Sequence, residues 1–159
     1  MPGGFFPTRL SALFAFLHHL AAFTLVAALA VEFVLLSGEL TVRRARQLLG
    51  ADLVLGASAT ALLLIGLLRV FFFEKGVGYY FHSVPFIAKL SLFAIVGMLS
   101  IYPTRKLLSW RPALRGGQAP RASIAELGRM RSLVRKELAA VALLILCAAL
   151  MARGIGYLG

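Results

Sequence analysis

The sequence predicts an all-α integral membrane protein, a four-helix bundle with both termini on the extracytoplasmic side. Only 14% of the 159 residues are charged, whereas soluble domains carry roughly 25%. Four apolar stretches approach or exceed the ~20 residues that a helix needs to cross the hydrocarbon layer of a bilayer. They lack the alternation of membrane strands, and only helices and closed barrels satisfy the backbone in lipid. The third observation is the distribution of basic residues between these stretches.

The four helices are expected at about residues 10–36, 51–73, 82–104 and 122–156 of a single transmembrane domain covering 1–159. We interpret the first stretch as a retained helix, because its apolar run exceeds the ~7–15 residues of a signal-peptide core. Residues 38–50 are expected to form a tight basic turn. The polar first part of the last helix, residues 122–136, is expected to lie along the membrane surface.

Twelve of the 17 basic residues fall in the two connections on one side of this topology. They are Arg43, Arg44, Arg46, Arg105, Lys106, Arg111, Arg115, Arg121, Arg129, Arg131, Arg135 and Lys136. This is the positive-inside pattern, and it predicts a multi-pass protein of the bacterial cytoplasmic (inner) membrane with both basic connections in the cytoplasm. The net charge of +11 therefore indicates topology and contact with anionic lipid, not nucleic-acid binding.

Polar side chains inside the apolar stretches indicate a functional site. A charged group in the bilayer costs about 2.5–3.5 kcal/mol on insertion scales, so such groups are rare there unless they have a role. By helix rise, His18 and His19 lie ~12 Å from the outer end of the first helix, and Lys89 lies ~10 Å from the same surface. The first and third helices run parallel, so these groups share one level. Helical phase places His18 on the face of Glu32, which makes His18 the first candidate for the interior and His19 the second.

These groups together are suited to binding a haem. Its iron would take His18, with Lys89 or His19 as the second ligand. Four further side chains would contact the ring and its propionates: Phe86, Phe93, Arg69 and Arg153. No CxxCH motif is present, which excludes covalent c-type attachment. The simpler alternatives are a hydrogen-bonded core histidine, a lysine that snorkels to the surface, and interfacial arginines.

Three segments carry a family resemblance: LHHLAAF (residues 17–23), RRAR (43–46) and HSVPFIAKL (82–90). Together they resemble an uncharacterised family of small bacterial membrane proteins and, more distantly, the HemJ-type protoporphyrinogen oxidases and CopD-like membrane proteins. In HemJ-type proteins a helix-one histidine and a helix-three lysine are associated with a b-type haem. Those positions fall on His18 (or His19) and Lys89. The resemblance implies haem b and membrane redox chemistry, with a porphyrinogen or a quinone-like carrier as substrate.

Three functions therefore remain open from the sequence. The leading one is a haem-binding membrane oxidoreductase in which His18 is an axial ligand and Lys89 is a second ligand or a catalytic proton-handling group. The second is a small permease or metal-handling protein in the CopD manner, with His18, His19 and Glu32 along a polar path. Only 4 Met and 1 Cys are present, so the chain has few of the soft ligands that copper prefers. The third is a structural membrane subunit, and homo-oligomerisation is left open.

Overall fold

The computed structural model describes residues 8–73 and 77–156, and the regular elements within these ranges are helices. In chain order these are α1 (Thr8–Leu35), α2 (Val42–Leu68) with a π-helical turn (Arg69–Phe73), α3 (Val77–Phe81), α4 (Val84–Ser109), α5 (Arg111–Arg115) and α6 (Ile124–Ala152). The predicted all-α class is confirmed.

The long helices form a bundle in which α1 packs along α2 and α4 packs along α6. Contacts of α1 with α6 and of α2 with α4 close the arrangement. The centre contains fully buried Leu29, Leu48, Leu107, Met130 and Val134. At one end, α5 covers the start of α2, where the Arg46 guanidinium donates a hydrogen bond to the Leu114 carbonyl at 3.2 Å. We call this the basic end of the bundle and the opposite one the cavity end.

The outside of the bundle is apolar. Phe23 is 73% exposed, Leu53 is 68% exposed and Val34 is 67% exposed. Soluble monomers rarely expose apolar surface this extensively. Three helical segments, Arg9–Leu35, Val42–Phe72 and Val84–Arg115, are long and apolar enough to cross a membrane. The bundle thus has a surface suited to lipid.

The fourth predicted span has a different character. The apolar part of α6, residues 138–152, lies between Glu137 and Arg153 and is shorter than the ~20 residues of a typical span. The part expected along the membrane surface continues in the same helix, and its Met130 and Val134 are buried in the core. A fourth crossing therefore stays a prediction, although α6 completes the bundle.

The basic turn predicted at residues 38–50 is mostly helix. α2 begins at Val42, and the Thr41 hydroxyl accepts a hydrogen bond from the Arg44 amide at 3.2 Å. Threonine is a favourable N-cap, and the Arg, Gln and Leu residues that follow are good helix formers. The prediction was wrong because the apolar run marks only the part of α2 suited to lipid. The connection between α1 and α2 is limited to residues 36–41.

The start of α6 is fixed by a capping box. The Ser123 hydroxyl accepts a hydrogen bond from the Glu126 amide at 3.1 Å, and the Ser123 amide donates to the Glu126 carboxylate at 3.0 Å. Lys106 of α4 forms an ion pair with the same carboxylate. The hydrogen bonds from Lys106 and from the Ser123 amide lower the pKa of Glu126. These contacts join α6 to α4 at the basic end.

Candidate ligand cavity

A cavity of about 120 Å³ lies at the cavity end, between α1, α2 and α4. Four polar side chains line it: His18, Arg69, Tyr80 and Lys89. The remaining wall is apolar and contains Leu62, Leu63, Gly66, Leu67, Val70, Phe86, Leu90, Phe93 and Met151. A mostly apolar wall with a few converging polar groups is the usual make-up of a ligand site.

His18 lies against α2 at Gly66. A Cβ atom on residue 66 would be 3.2 Å from the His18 Cε1 atom and 3.7 Å from its Nδ1 atom. Glycine therefore allows the imidazole to approach the α2 backbone. The other glycine in the apolar part of α2, Gly56, is exposed, and a Cβ atom there would meet no atom within 4 Å. Of these two glycines, only Gly66 has a close neighbour.

His19 is exposed and lies outside the cavity. Its Nδ1–H donates a hydrogen bond to the Ala15 carbonyl at 2.6 Å, one turn earlier in α1. The two imidazoles are 6.2 Å apart between centroids and nearly perpendicular, at 88°. Successive helical side chains point about 100° apart, so α1 directs one histidine to the cavity and the other outward.

Lys89 and Arg69 bring positive charge to the cavity. Lys89 is on the second turn of α4, and Arg69 begins the π-helical turn that follows α2. Arg69 is close enough to act electrostatically on Lys89. Among the residues that the structure describes, no carboxylate lines the cavity and Lys89 forms no ion pair. The cavity thus favours a ligand with oxygen acceptors or negative charge.

Aromatic rings form the rim between α3 and α4. The Phe86 ring lies 5.2 Å from the Tyr80 ring and 5.8 Å from the Phe81 ring, between centroids. Tyr80 is only 7% exposed, although it lies between the second and third predicted helices. Tyr80 enters the cavity because α3 is helical and folds against α4, a tertiary contact without a local sequence signal.

The structure brings together five of the seven predicted cofactor-binding residues: His18, Arg69, Phe86, Lys89 and Phe93. His19 is outside the cavity, and Arg153 is exposed at the C-cap of α6. Met151, near the end of α6, is a lining residue that the sequence did not indicate.

The family model "Predicted membrane protein (DUF2214)" matches residues 10–156. The chain belongs to this family. It matches no curated protein and no solved structure. Family membership establishes a membrane protein and supports the first part of the resemblance, and the comparisons give no support to a likeness with HemJ-type or CopD-like proteins.

The cavity of this DUF2214 protein fits a haem in its ligands but not in its size. His18 supplies an imidazole, and Lys89 faces the same space. Apolar cavities of ~150 Å³ accept a benzene ring, and pockets for drug-sized ligands measure ~300–1,000 Å³. At about 120 Å³, the cavity would have to widen to hold a tetrapyrrole. Among the described residues, no three His, Cys, Asp or Glu side chains are arranged to hold a metal ion.

A second polar group lies nearer the basic end. Glu32 of α1, Asp52 of α2 and Glu137 of α6 are buried, and we call them the inner acid cluster. Acids near the basic end would be expected to form ion pairs with residues such as Arg43 or Arg135. Within the described residues these pairs are absent, because hydroxyl groups of α4 occupy the positions facing Asp52 and Glu137.

An apolar layer separates the cavity from the inner acid cluster. On the buried face of α1, Ala21, Leu25, Ala28 and Leu29 lie between His18 and Glu32. Val96 of α4 and Leu144 of α6 belong to the same core. The polar path from His18 to Glu32 that a permease would use is therefore interrupted by packed hydrophobic side chains.

Proposed function

We propose that this DUF2214 membrane protein binds a lipid-soluble ring compound with oxygen acceptors, of the quinone class, in the cavity between α1, α2 and α4. One observation carries the proposal. A single cavity joins an imidazole, an ammonium and a guanidinium group from different helical elements, and none of its described lining residues is a carboxylate. Such a donor set is complementary to carbonyl oxygens.

The size of the cavity favours one ring. A volume of about 120 Å³ is close to the ~150 Å³ that accepts benzene. Phe86 and Phe93 would pack against the ring, and Lys89 and Arg69 would donate hydrogen bonds to its oxygens. The apolar tail of a quinone would extend into lipid along the exposed apolar faces of α2 and α4. A catalytic role for Lys89 would consist of holding a proton at a quinone oxygen.

The charge distribution supports an orientation for this site. The basic residues concentrate at the end opposite the cavity, and cytoplasmic segments of membrane proteins are enriched in Lys and Arg. We infer a bacterial cytoplasmic membrane protein whose cavity is near the outer leaflet.

Binding of decyl-ubiquinone to the purified protein in lipid nanodiscs tests the proposal. Hydrogen bonds to charged groups contribute about 1.5–3 kcal/mol, so Lys89→Met should weaken binding by roughly 10–100-fold. His18→Ala should also weaken binding, whereas His19→Ala, the matched control on the exposed side of α1, should not. Equal affinity in the wild-type, Lys89→Met and His18→Ala proteins would remove the cavity as the site.

Haem b is the second candidate, supported by the joint placement of His18, Lys89, Phe86, Phe93 and Arg69. When bound, it would supply one-electron redox chemistry, and porphyrin-related substrates belong to this candidate. Absorption spectra of the oxidised and dithionite-reduced protein, with a pyridine haemochrome assay, separate the two. Stoichiometric haem lost in His18→Ala would favour this candidate, and a protein that stays colourless after haem reconstitution would exclude it.

A further inference from the structure

The inner acid cluster combines three carboxyl groups from three helices. Glu32 and Glu137 are each 1% exposed, and Asp52 is 8% exposed. Asp52 and Glu137 are close enough to act electrostatically on Glu32, and Asp52 acts on Glu137. The cluster lies on the helices that also form the cavity, with Glu32 fourteen residues from His18 along α1, or about 21 Å by helix rise.

The groups that face the cluster differ between the three acids. The Thr104 hydroxyl of α4 donates a hydrogen bond to Asp52 Oδ1 at 2.6 Å, and Arg111 of α5 acts electrostatically on Asp52. The Ser100 hydroxyl of α4 donates a hydrogen bond to Glu137 Oε2 at 2.9 Å. Within the described residues, none of the three acids forms an ion pair. Only Asp52 has both a hydroxyl donor and a nearby cation.

Two buried oxygens of the cluster lack partners. Glu32 Oε1 and Glu137 Oε1 form no hydrogen bond with any residue that the structure describes. An ionised carboxylate in such surroundings is strongly unfavourable, and buried acids without a countercharge take up protons instead. The described residues contain no arrangement of three acids suited to a metal ion, so the proton is the cation that this geometry accommodates.

We propose that the inner acid cluster is a proton-binding site in which Glu32 and Glu137 each carry an exchangeable proton at neutral pH. Asp52 is the most exposed of the three and is adjacent to the basic end, so it provides the route by which these protons exchange with water. The three coupled groups titrate as a unit. This site is separate from the cavity, and its test does not depend on any ligand.

Infrared difference spectroscopy of the full-length protein in lipid, over a pH titration in H2O and D2O, tests the proposal. Protonated carboxyl groups give a C=O stretching band that shifts in D2O and disappears on ionisation. Glu32→Gln and Glu137→Gln should each remove part of this band, because the amide copies the shape of the protonated acid without titrating. Both variants should keep the melting temperature of the wild type. Glu39→Gln, at an exposed site, should leave the band unchanged.

Two results would contradict the proposed proton-binding site. A wild-type spectrum without a protonated carboxyl band at neutral pH overturns the proposal, even if the variants do not fold. A band that persists unchanged in Glu32→Gln and Glu137→Gln also overturns it, because the protons would then be elsewhere. Either outcome leaves the quinone proposal untouched.

Discussion

His18 of α1 lies directly against Gly66 of α2 in the wall of the cavity. Because Gly66 has no side chain, the imidazole reaches the α2 backbone with its Cε1 atom 3.2 Å from the position of a Cβ. A methyl group at that position would push the ring by a few tenths of an ångström. The direction of His18, and with it any hydrogen bond that its ring makes to a ligand, therefore depends on a residue that has no side chain.

Comparing Gly66→Ala with Gly56→Ala separates the effect of this contact from the effect of helix propensity on the free energy of unfolding. Alanine in a helix interior stabilises by about 0.5–1 kcal/mol relative to glycine, so Gly56→Ala should raise the free energy of unfolding by that amount. Gly66→Ala should raise the free energy of unfolding by less, because the new methyl group crowds His18. It should also weaken decyl-ubiquinone binding several-fold. Unfolding in mixed detergent micelles and quinone titrations measure the two effects. Identical behaviour of the two variants would contradict a role for this contact.

At the residue scale, the sequence predicts the positions of those side chains that helix geometry alone determines. The phase relation with Glu32 directs His18 inward, and counting residues from the outer end places His18 and Lys89 at one level. Both residues line the cavity. Tyr80 and Met151 could not be found in this way, because their positions depend on how α3 and the end of α6 fold against α4.

At the scale of elements, local chemistry extends the helices beyond the apolar runs. Hydropathy indicates where a helix is suited to lipid, whereas capping residues determine where it begins. α2 starts after Thr41 and α6 starts after Ser123, each with a side-chain cap. The π-helical turn at Arg69–Phe73 is a further local feature that hydropathy does not show. Such turns occur often at functional sites, and this one carries Arg69 and Val70 to the cavity.

Ser123→Ala should lower the free energy of unfolding by about 1 kcal/mol, the typical loss for an N-cap serine. The variant removes the acceptor for the Glu126 amide, whereas the hydrogen bond from the amide of residue 123 to the Glu126 carboxylate is kept. Ser109→Ala is the control, since Ser109 is exposed and its hydroxyl donates only to the Lys106 carbonyl, within its own helix. The control should change the free energy of unfolding by less than about 0.5 kcal/mol. Equal losses in the two variants would show that the cap does not stabilise α6.

At the scale of the whole molecule, the apolar exterior, the basic end and the opposite cavity define an expected orientation in the membrane. The start of α2 and the short helix α5 lie at the same end, joined by the hydrogen bond from Arg46 to Leu114. At the other end, the Val84 amide donates a hydrogen bond to the Gly156 carbonyl at 3.0 Å. The bundle therefore places the end of α6 beside the start of α4, although the apolar part of α6 is short for a crossing.

Single cysteines in a Cys147→Ser background, labelled with a membrane-impermeant maleimide, test this orientation and the fourth crossing together. Ser37→Cys and Gln118→Cys at the basic end should react only after the membrane is permeabilised. His82→Cys and Ile155→Cys at the cavity end should react in intact cells. Positions 37 and 118 reacting in intact cells, with 82 and 155 protected, would reverse the orientation but keep the bundle. Ile155→Cys protected together with Gln118→Cys, while His82→Cys reacts, would show that α6 does not cross the membrane. The bundle contacts between Val84 and Gly156 would then be incompatible with the membrane-embedded protein.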